Sequence, residues 1–244
     1  MLSFFFKKRK PSIDFSAVGI DMHSHLIPAI DDGARSAEES REMITRLFEL
    51  GFKGLITTPH SIGELYPNTY RDLENGFRQL EELNIDSGKL QWSSEYFLDD
   101  FLFEQLERDQ VKPLPGNRLL IEFSQLSKPL TLEENLFRIA VKGYQVILAH
   151  PERYSFFHHN PDDYNRLKDL KIEFQVNALS LIGHYGDRIK KTAEYLIKSK
   201  MIDFLGTDIH HLRHLQLLEM VPETKSYMKL IESGELKNNS LEFD

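Results

Sequence analysis

Cysteine is absent from the 244-residue chain. Disulfides, thiolate–metal sites and a cysteine nucleophile are thereby excluded, and the absence fits a reducing cytoplasm, the expected location. Also missing is any apolar run approaching the ~20 residues of a membrane-spanning helix. Basic charge is not in excess: 30 Lys and Arg stand against 38 Asp and Glu, a net charge of −8. That balance argues against nucleic acid as the main partner. No glycine-rich phosphate loop of either common type follows a predicted strand, which weakens nucleotide-binding forms of an open α/β sheet. Internal repeats and low-complexity stretches are lacking too.

What is present suits one α/β domain, since barrels of roughly 200–250 residues commonly form a single unit. Residues 17–233 are expected to form it, with tails at 1–16 and 234–244. The start, Met1 to Lys10, puts aromatic residues before four cations, the wrong order for a secretory signal. A flexible tail is expected there, with weak contact to an anionic membrane surface as the other reading.

Seven short apolar runs alternate with helical patterns: Val18–Asp21, Gly54–Thr58, Gln91–Tyr96, Arg118–Phe123, Gln145–Ala149, Ile172–Asn177 and Asp203–Thr207. Between them, Ser36 with Glu39 and Thr131 with Glu134 have the spacing of capping boxes. Leu136, Phe137, Ala140 and Val141 form the predicted buried stripe after the second box. Strands alternating with helices imply parallel pairing through right-handed crossovers. The count suits a barrel with one unit fewer than eight, and an open doubly wound sheet is the alternative.

Side chains suited to divalent metals recur at the ends of these runs. His23 and His25 follow the first, two residues apart and hence on one side of the strand end. His60 follows the second, Glu95 ends the third, Glu122 closes the fourth, His150 follows the fifth, and Asp208 and His210 follow the seventh. In a parallel barrel all these ends share one face, where such folds carry their sites. Imidazole and carboxylate together suit a multinuclear metal site. Glu122 sits in Leu119-Leu120-Ile121-Glu122-Phe123, where an unpartnered charge would be costly. Arg153, three residues past His150, cannot bind cations but has the planar fork that suits phosphate; a surface pair with Glu152 is the plainer alternative. Arg213 offers a second cation near the same rim, and Asp21 is a candidate to orient a ligand histidine.

In these motifs the chain resembles the polymerase and histidinol phosphatase (PHP) superfamily, and within it the bacterial tyrosine-protein phosphatases of capsule and exopolysaccharide operons. The resemblance spans about Ile20 to His214. It rests on Asp21 to Gly33, Thr57-Thr58-Pro59-His60, Glu95, Ile121-Glu122-Phe123, His150-Pro151-Glu152-Arg153-Tyr154 and Gly206-Thr207-Asp208-Ile209-His210. It implies a distorted seven-stranded (β/α)7 barrel holding two to three divalent ions, manganese first, with iron, zinc or magnesium as others. It assigns His23, His25, Glu95 and Asp208 to one ion. Glu95, Glu122 and His150 go to a second, and Asp32, His60 and His210 to a third. Asp31 competes with Asp32 for that last place. Arg153 matches the phosphate-binding arginine, Arg213 a second one, and His210 is a candidate to assist a leaving group. The implied reaction is hydrolysis of phosphotyrosine on a protein, with a membrane-associated bacterial tyrosine kinase as the implied partner. A small-molecule phosphoesterase of the histidinol phosphate type is the alternative.

Overall fold

The computed structural model describes residues 15–83, 85 and 90–241. The expectations for residues 1–14 and 242–244 fall outside them. Strand β1 (Ile20–Asp21) leads to helix α1 (Ala37–Glu49), then β2 (Gly54–Thr57), β3 (His60–Ser61), α2 (Tyr70–Glu81), β4 (Leu90–Trp92), β5 (Glu95–Phe97) and α3 (Asp100–Glu107). The second half runs β6 (Arg118–Glu122), α4 (Leu132–Val141), β7 (Gln145–Ala149), α5 (Pro161–Asp169), β8 (Glu173–Asn177), α6 (Asp187–Lys198), β9 (Phe204–Gly206), α7 (Leu212–Leu218) and α8 (Lys225–Ser233).

All strand pairs are parallel, in a three-stranded sheet β1-β2-β4 and a six-stranded sheet β3-β5-β6-β7-β8-β9. Strand order follows chain order within each sheet, without the reversal that defines a doubly wound sheet. The curled sheet returns on itself: Ser24 bridges Ile209, and Asp208 N–H donates to His23 O at 2.7 Å.

The expected single strand Gln91–Tyr96 is instead two segments in different sheets. The same interruption splits the run before His60. Pro59 has no N–H to donate to a ladder. Ser94 Oγ donates to Pro59 O at 2.6 Å, so the two breaks are stitched together. Each break turns the next residue, His60 or Glu95, toward the mouth of the sheet.

Period-two alternation sorts the sheet's side chains. Leu119, Ile121, Val146, Leu148, Phe174 and Val176 point out and pack beneath the helices in the larger core. Ile20, Met22, Ile56, Leu120, Ile147, Ala149 and Phe204 form a small inner core with Leu114 and Leu241. Phe15 is buried and stacks on Phe52 at 4.8 Å. Beyond α8, Asn238 Nδ2 donates to Ile20 O and Leu205 O at 2.8 and 2.7 Å, and Leu241 closes the inner core from below.

Two helix expectations need correction. Thr131 makes no side-chain cap to α4; its hydroxyl accepts from Asn135 Nδ2 instead. The face of α4 that is buried is Leu132, Leu136 and Ile139, whereas Phe137 and Val141 are 68% and 69% exposed. Both stripes are apolar at helical spacing, so periodicity alone cannot choose between them. The Ser36 cap is present, accepting from Glu39 N–H, but the Glu39 carboxylate turns to Arg35 N–H.

At the amino ends of the strands, half-buried Asp203 and buried Glu173 each have cationic partners. Asp203 accepts from Lys168 Nζ at 2.6 Å and Phe174 N–H at 2.8 Å, and pairs with Lys237 at 2.8 Å. Glu173 pairs with Arg118 and Lys237. Burial would raise the Asp203 carboxyl, but Lys168 and Lys237 outweigh it and hold it below its ordinary 3.8. Asp203→Ala strands three donors and is expected to lower stability by about 1–3 kcal/mol near neutral pH. A folded value below the unfolded one means this stabilisation is present above pH ~4 and fades as pH falls through the depressed value. Denaturant melts of both proteins should therefore lie furthest apart at pH 7 and draw together as pH falls below ~4; a constant gap would refute the ionic origin.

Candidate metal centre

At the carboxyl ends of the strands the acids meet imidazoles rather than lysines. His23, His25, Glu95, Glu122, His150 and Asp208 are all buried there. Glu95 lies at the middle: Oε2 is 3.2 Å from His23 Nε2, 3.6 Å from His25 Nε2 and 3.1 Å from His60 Nδ1, and Oε1 is 2.8 Å from His150 Nε2. Asp208 Oδ1 is 3.4 Å from both His23 Nε2 and His25 Nε2.

Three sets of donor atoms converge to within 4.8 Å: His23, His25, Glu95 and Asp208; His25, Asp32, His60 and His210; and His60, Glu95 and Glu122. His150 touches the last set only through Glu95. Asp32 Oδ1 lies 3.5 Å from both His60 Nε2 and His210 Nε2. Asp31, its competitor, turns away and accepts from His25 Nδ1 at 2.7 Å and His60 N–H at 2.9 Å.

The donor set suits divalent cations. His23 gives its Nδ1–H to Gln175 Oε1 at 2.8 Å, and His25 gives its own to Asp31, so each presents Nε2 to the cluster. His23 Nε2, His25 Nε2, His60 Nδ1 and Glu95 Oε2 are buried without a well-formed hydrogen bond. Such convergent, unsatisfied donors are expensive unless a cation joins them. Burial alone would push Glu95 and Asp208 up, but the surrounding histidines, His23 foremost, hold both well below the usual carboxylate range. Conversely, burial opposes the charge on His25, yet Asp31 and Asp208 hold it up to about 10. His210 is pushed down by burial and by His25, and its Nδ1–H is committed to Asp208 O at 2.9 Å. With that nitrogen committed, His210 turns Nε2 toward Asp32.

Local backbone is strained beside the cluster. His150 (φ 35°) and Asp208 (φ 51°) both occupy the left-handed region, which non-glycine residues enter at a cost. A Cβ on Gly206 would lie 2.6 Å from His23 Cβ, so only glycine lets β9 approach that histidine.

Arg153 does not pair with Glu152. Glu152 is buried and accepts from Asn177 N–H and Ser180 Oγ, bracing the chain after β8. Arg153 Nη1 meets Asp208 Oδ2 at 2.9 Å, and its guanidinium carbon lies 4.4 Å from the Tyr185 ring centroid. Asp21 touches no imidazole; it accepts from Thr207 N–H and Oγ1 at 2.9 and 2.6 Å, tying the first strand to the last. Arg213 is exposed and does not line the cleft.

The cleft over the centre has a volume of about 360 Å³. Asp32, His60, Glu95, Asp208, His210 and Arg153 make its polar side, while Ile62, Leu65, Tyr66, Phe97 and Phe123 make an apolar one. Tyr66 lies nearly parallel to His60, at 5.8 Å.

Two residues beside the centre escaped the sequence reading, Gln175 and Asn177. Asn177 Nδ2 donates to Asp208 Oδ2 at 2.6 Å and Oδ1 accepts from Gln175 Nε2 at 2.9 Å. Their signal was the alternation Glu173, Gln175, Asn177 against apolar Phe174 and Val176, which puts an all-polar row inside the sheet.

The family profile described as capsular polysaccharide synthesis, CpsB/CapC, matches residues 19–231. The chain belongs to this family. The putative tyrosine-protein phosphatase CapC of Staphylococcus aureus is 28% identical over 233 residues, covering 91% of this chain and 90% of that protein. The tyrosine-protein phosphatase CpsB of Streptococcus pneumoniae is 26% identical over 202 residues, 79% of this chain and 83% of that one. A chain from the crystal structures of YwqE from Bacillus subtilis and CpsB from Streptococcus pneumoniae, described as unique metal-dependent tyrosine phosphatases, superposes with a TM-score of 0.75 at 27% identity. It covers 90% of this chain and 94% of its own. Within the CpsB/CapC family this chain thus carries the same fold over nearly its whole length. Among the described residues, no helix is long and apolar enough to cross a membrane.

Proposed function

We propose that this CpsB/CapC-family chain is a metal-dependent protein-tyrosine phosphatase of PHP type. The observation that carries the reading is the convergence of buried, unsatisfied imidazole and carboxylate atoms beneath a cleft whose rim holds Arg153. The names of the relatives support it. The interrupted pairs β2/β3 and β4/β5, each counted as one strand, support reading the curled sheet as a seven-stranded barrel, and residues 17–233 as one catalytic domain against which Phe15, Asn238 and Leu241 pack.

Two to three divalent ions are proposed. His23, His25, Glu95 and Asp208 would hold one; Glu95, Glu122 and His150 a second, with His60 at its edge; and Asp32, His60 and His210 a third. Manganese is favoured, with iron, zinc or magnesium as alternatives. Bound ions of this kind neutralise phosphoryl oxygens and lower the pKa of water. Arg153 binds the phosphoryl group through charge-assisted bonds and orients it. The apolar wall from Ile62 to Phe123 accepts the tyrosine ring and keeps water from its far side. Phenolate leaves without a strong acid, its conjugate acid having a pKa of ~10. Family membership in capsular polysaccharide synthesis supports a membrane-associated bacterial tyrosine kinase as the protein substrate, met in the cytoplasm.

The test is a phosphoester panel on protein stripped by chelation and reloaded with manganese, zinc, magnesium or iron. A phosphotyrosine peptide should turn over well ahead of histidinol phosphate and a phosphoserine peptide. Activity should vanish on chelation and be untouched by iodoacetamide. Faster turnover of histidinol phosphate would establish the small-molecule alternative, and no turnover of any ester would leave only a metal-stabilised binding module.

A further inference from the structure

We propose that Tyr185 is the positioning residue for Arg153, fixing the guanidinium in the pose that receives a phosphoryl group. The inference rests on reading Arg153 as the phosphate clamp. Arg153 follows β7 on a single short turn, Pro151–Arg153, and its side chain must reach back over the cleft. Its ion pair to Asp208 Oδ2 fixes one end of the fork, and its Nε is buried without a hydrogen bond. An arginine held at one corner keeps much of its rotamer freedom, which binding would then have to remove. The Tyr185 ring, 4.4 Å from the guanidinium carbon, supplies the missing surface.

Tyr185 is itself fixed. It sits between Gly183 (φ 82°) and Gly186 (φ 103°), two left-handed positions that fold the loop back toward the sheet before α6. Asn177 donates to the same Asp208 oxygen that Arg153 meets. Tyrosine ring, arginine, aspartate and asparagine thus form one chain of contacts. Gln175 extends that chain to His23, since it donates to Asn177 and accepts from the His23 ring. Tyr185 touches no proposed metal ligand directly in this chain of contacts, so its loss should loosen the clamp and leave the ions in place.

The experiment uses the full chain loaded with manganese. Tyr185→Leu, Tyr185→Phe, Arg153→Ala and the double variant Tyr185→Leu/Arg153→Ala are compared by the competitive inhibition constant of inorganic phosphate, by KM and kcat on a phosphotyrosine peptide, and by elemental analysis. Tyr185→Leu should weaken phosphate binding roughly three- to tenfold and raise KM in step, with kcat moving less and metal content unchanged. Tyr185→Phe keeps the ring and should stay near wild type. On the Arg153→Ala background the leucine substitution should have no further effect on phosphate binding. A wild-type inhibition constant for Tyr185→Leu, an equal loss on both backgrounds, or loss of metal would overturn the proposal. If Tyr185→Leu does not fold, Tyr185→Met, which keeps bulk without the aromatic face, decides by the same outcomes. If Arg153→Ala itself leaves phosphate binding unchanged, the clamp reading fails; if only Tyr185→Leu is silent, this inference alone fails.

Discussion

Glu95→Gln is expected to lower kcat/KM on a phosphotyrosine peptide by roughly a thousandfold, about 4 kcal/mol, and to remove at least one ion per chain. The substitution keeps the side chain's size, so packing is preserved and the charge is what changes. Glu95 is fully buried and is shared by two of the three convergent donor sets. Its two oxygens face His23, His25, His60 and His150. An amide offers one poor oxygen ligand, and its nitrogen cannot ligate at all, so neither proposed ion beside it keeps its full set. Paired elemental analysis and steady-state kinetics check this. A variant with wild-type metal content and activity within tenfold would remove Glu95 from the centre.

Arg153→Ala should separate substrate binding from metal binding. Asp208, the partner it would lose, is still held by Asn177 Nδ2 at 2.6 Å and keeps Oδ1 toward His23 and His25. Metal content should therefore stay intact. Loss of a charge-assisted contact to the phosphoryl group should lower kcat/KM by about 2–4 kcal/mol, roughly thirty- to a thousandfold. Both KM and kcat should change, because the guanidinium meets ground-state and transition-state oxygens alike. Arg153→Lys should recover little, since an ammonium lacks the planar fork and stacks less well on Tyr185. His150→Ala is the control, expected to lose metal as well as activity. Wild-type kinetics in Arg153→Ala, or metal loss matching His150→Ala, would end the clamp assignment.

Much of the centre was legible because strand ends are legible. A short apolar run that stops at His, Glu or Asp states both an element and a direction, and parallel strands bring all such stops to one face. His23, His25, His60, Glu95, Glu122, His150, Asp208 and His210 were all placed at that face in this way, and the structure gathers them there. Residues that reach the site from within a strand or from a loop carried no such mark. Gln175 and Asn177 are polar amides in an otherwise ordinary strand, and Tyr185 is one tyrosine in a loop. The polar alternation along β8 puts Gln175 and Asn177 inside the sheet, but only the partner across it, a long-range fact, ties them to the centre.

The misread elements have the same origin. Strand three was read as continuous because Ser93 and Ser94 are compatible with a strand; their hydroxyls bond Lys112 O and Pro59 O only once the neighbouring chain is there. On α4 two apolar stripes compete, and the sheet selects Leu132, Leu136 and Ile139. The segment after Gly234 has no periodicity, yet Asn238 and Leu241 seal the floor of the inner core.

By itself the sequence determined the class of fold, the direction of the strands, the gathering of metal-suited side chains on one face and the absence of thiol chemistry. These follow from residue type, local spacing and the two fixed periods of backbone structure. Tertiary structure alone decided which of Asp31 and Asp32 faces the cluster, which imidazole nitrogen each histidine presents, whether Arg153 leans on Glu152 or on Tyr185, and which face of α4 is dry. Each of those choices is between alternatives of nearly equal local energy. The contacts that break the tie come from residues far away in the chain: Gln175 is 152 positions from His23, and Thr207 is 186 from Asp21.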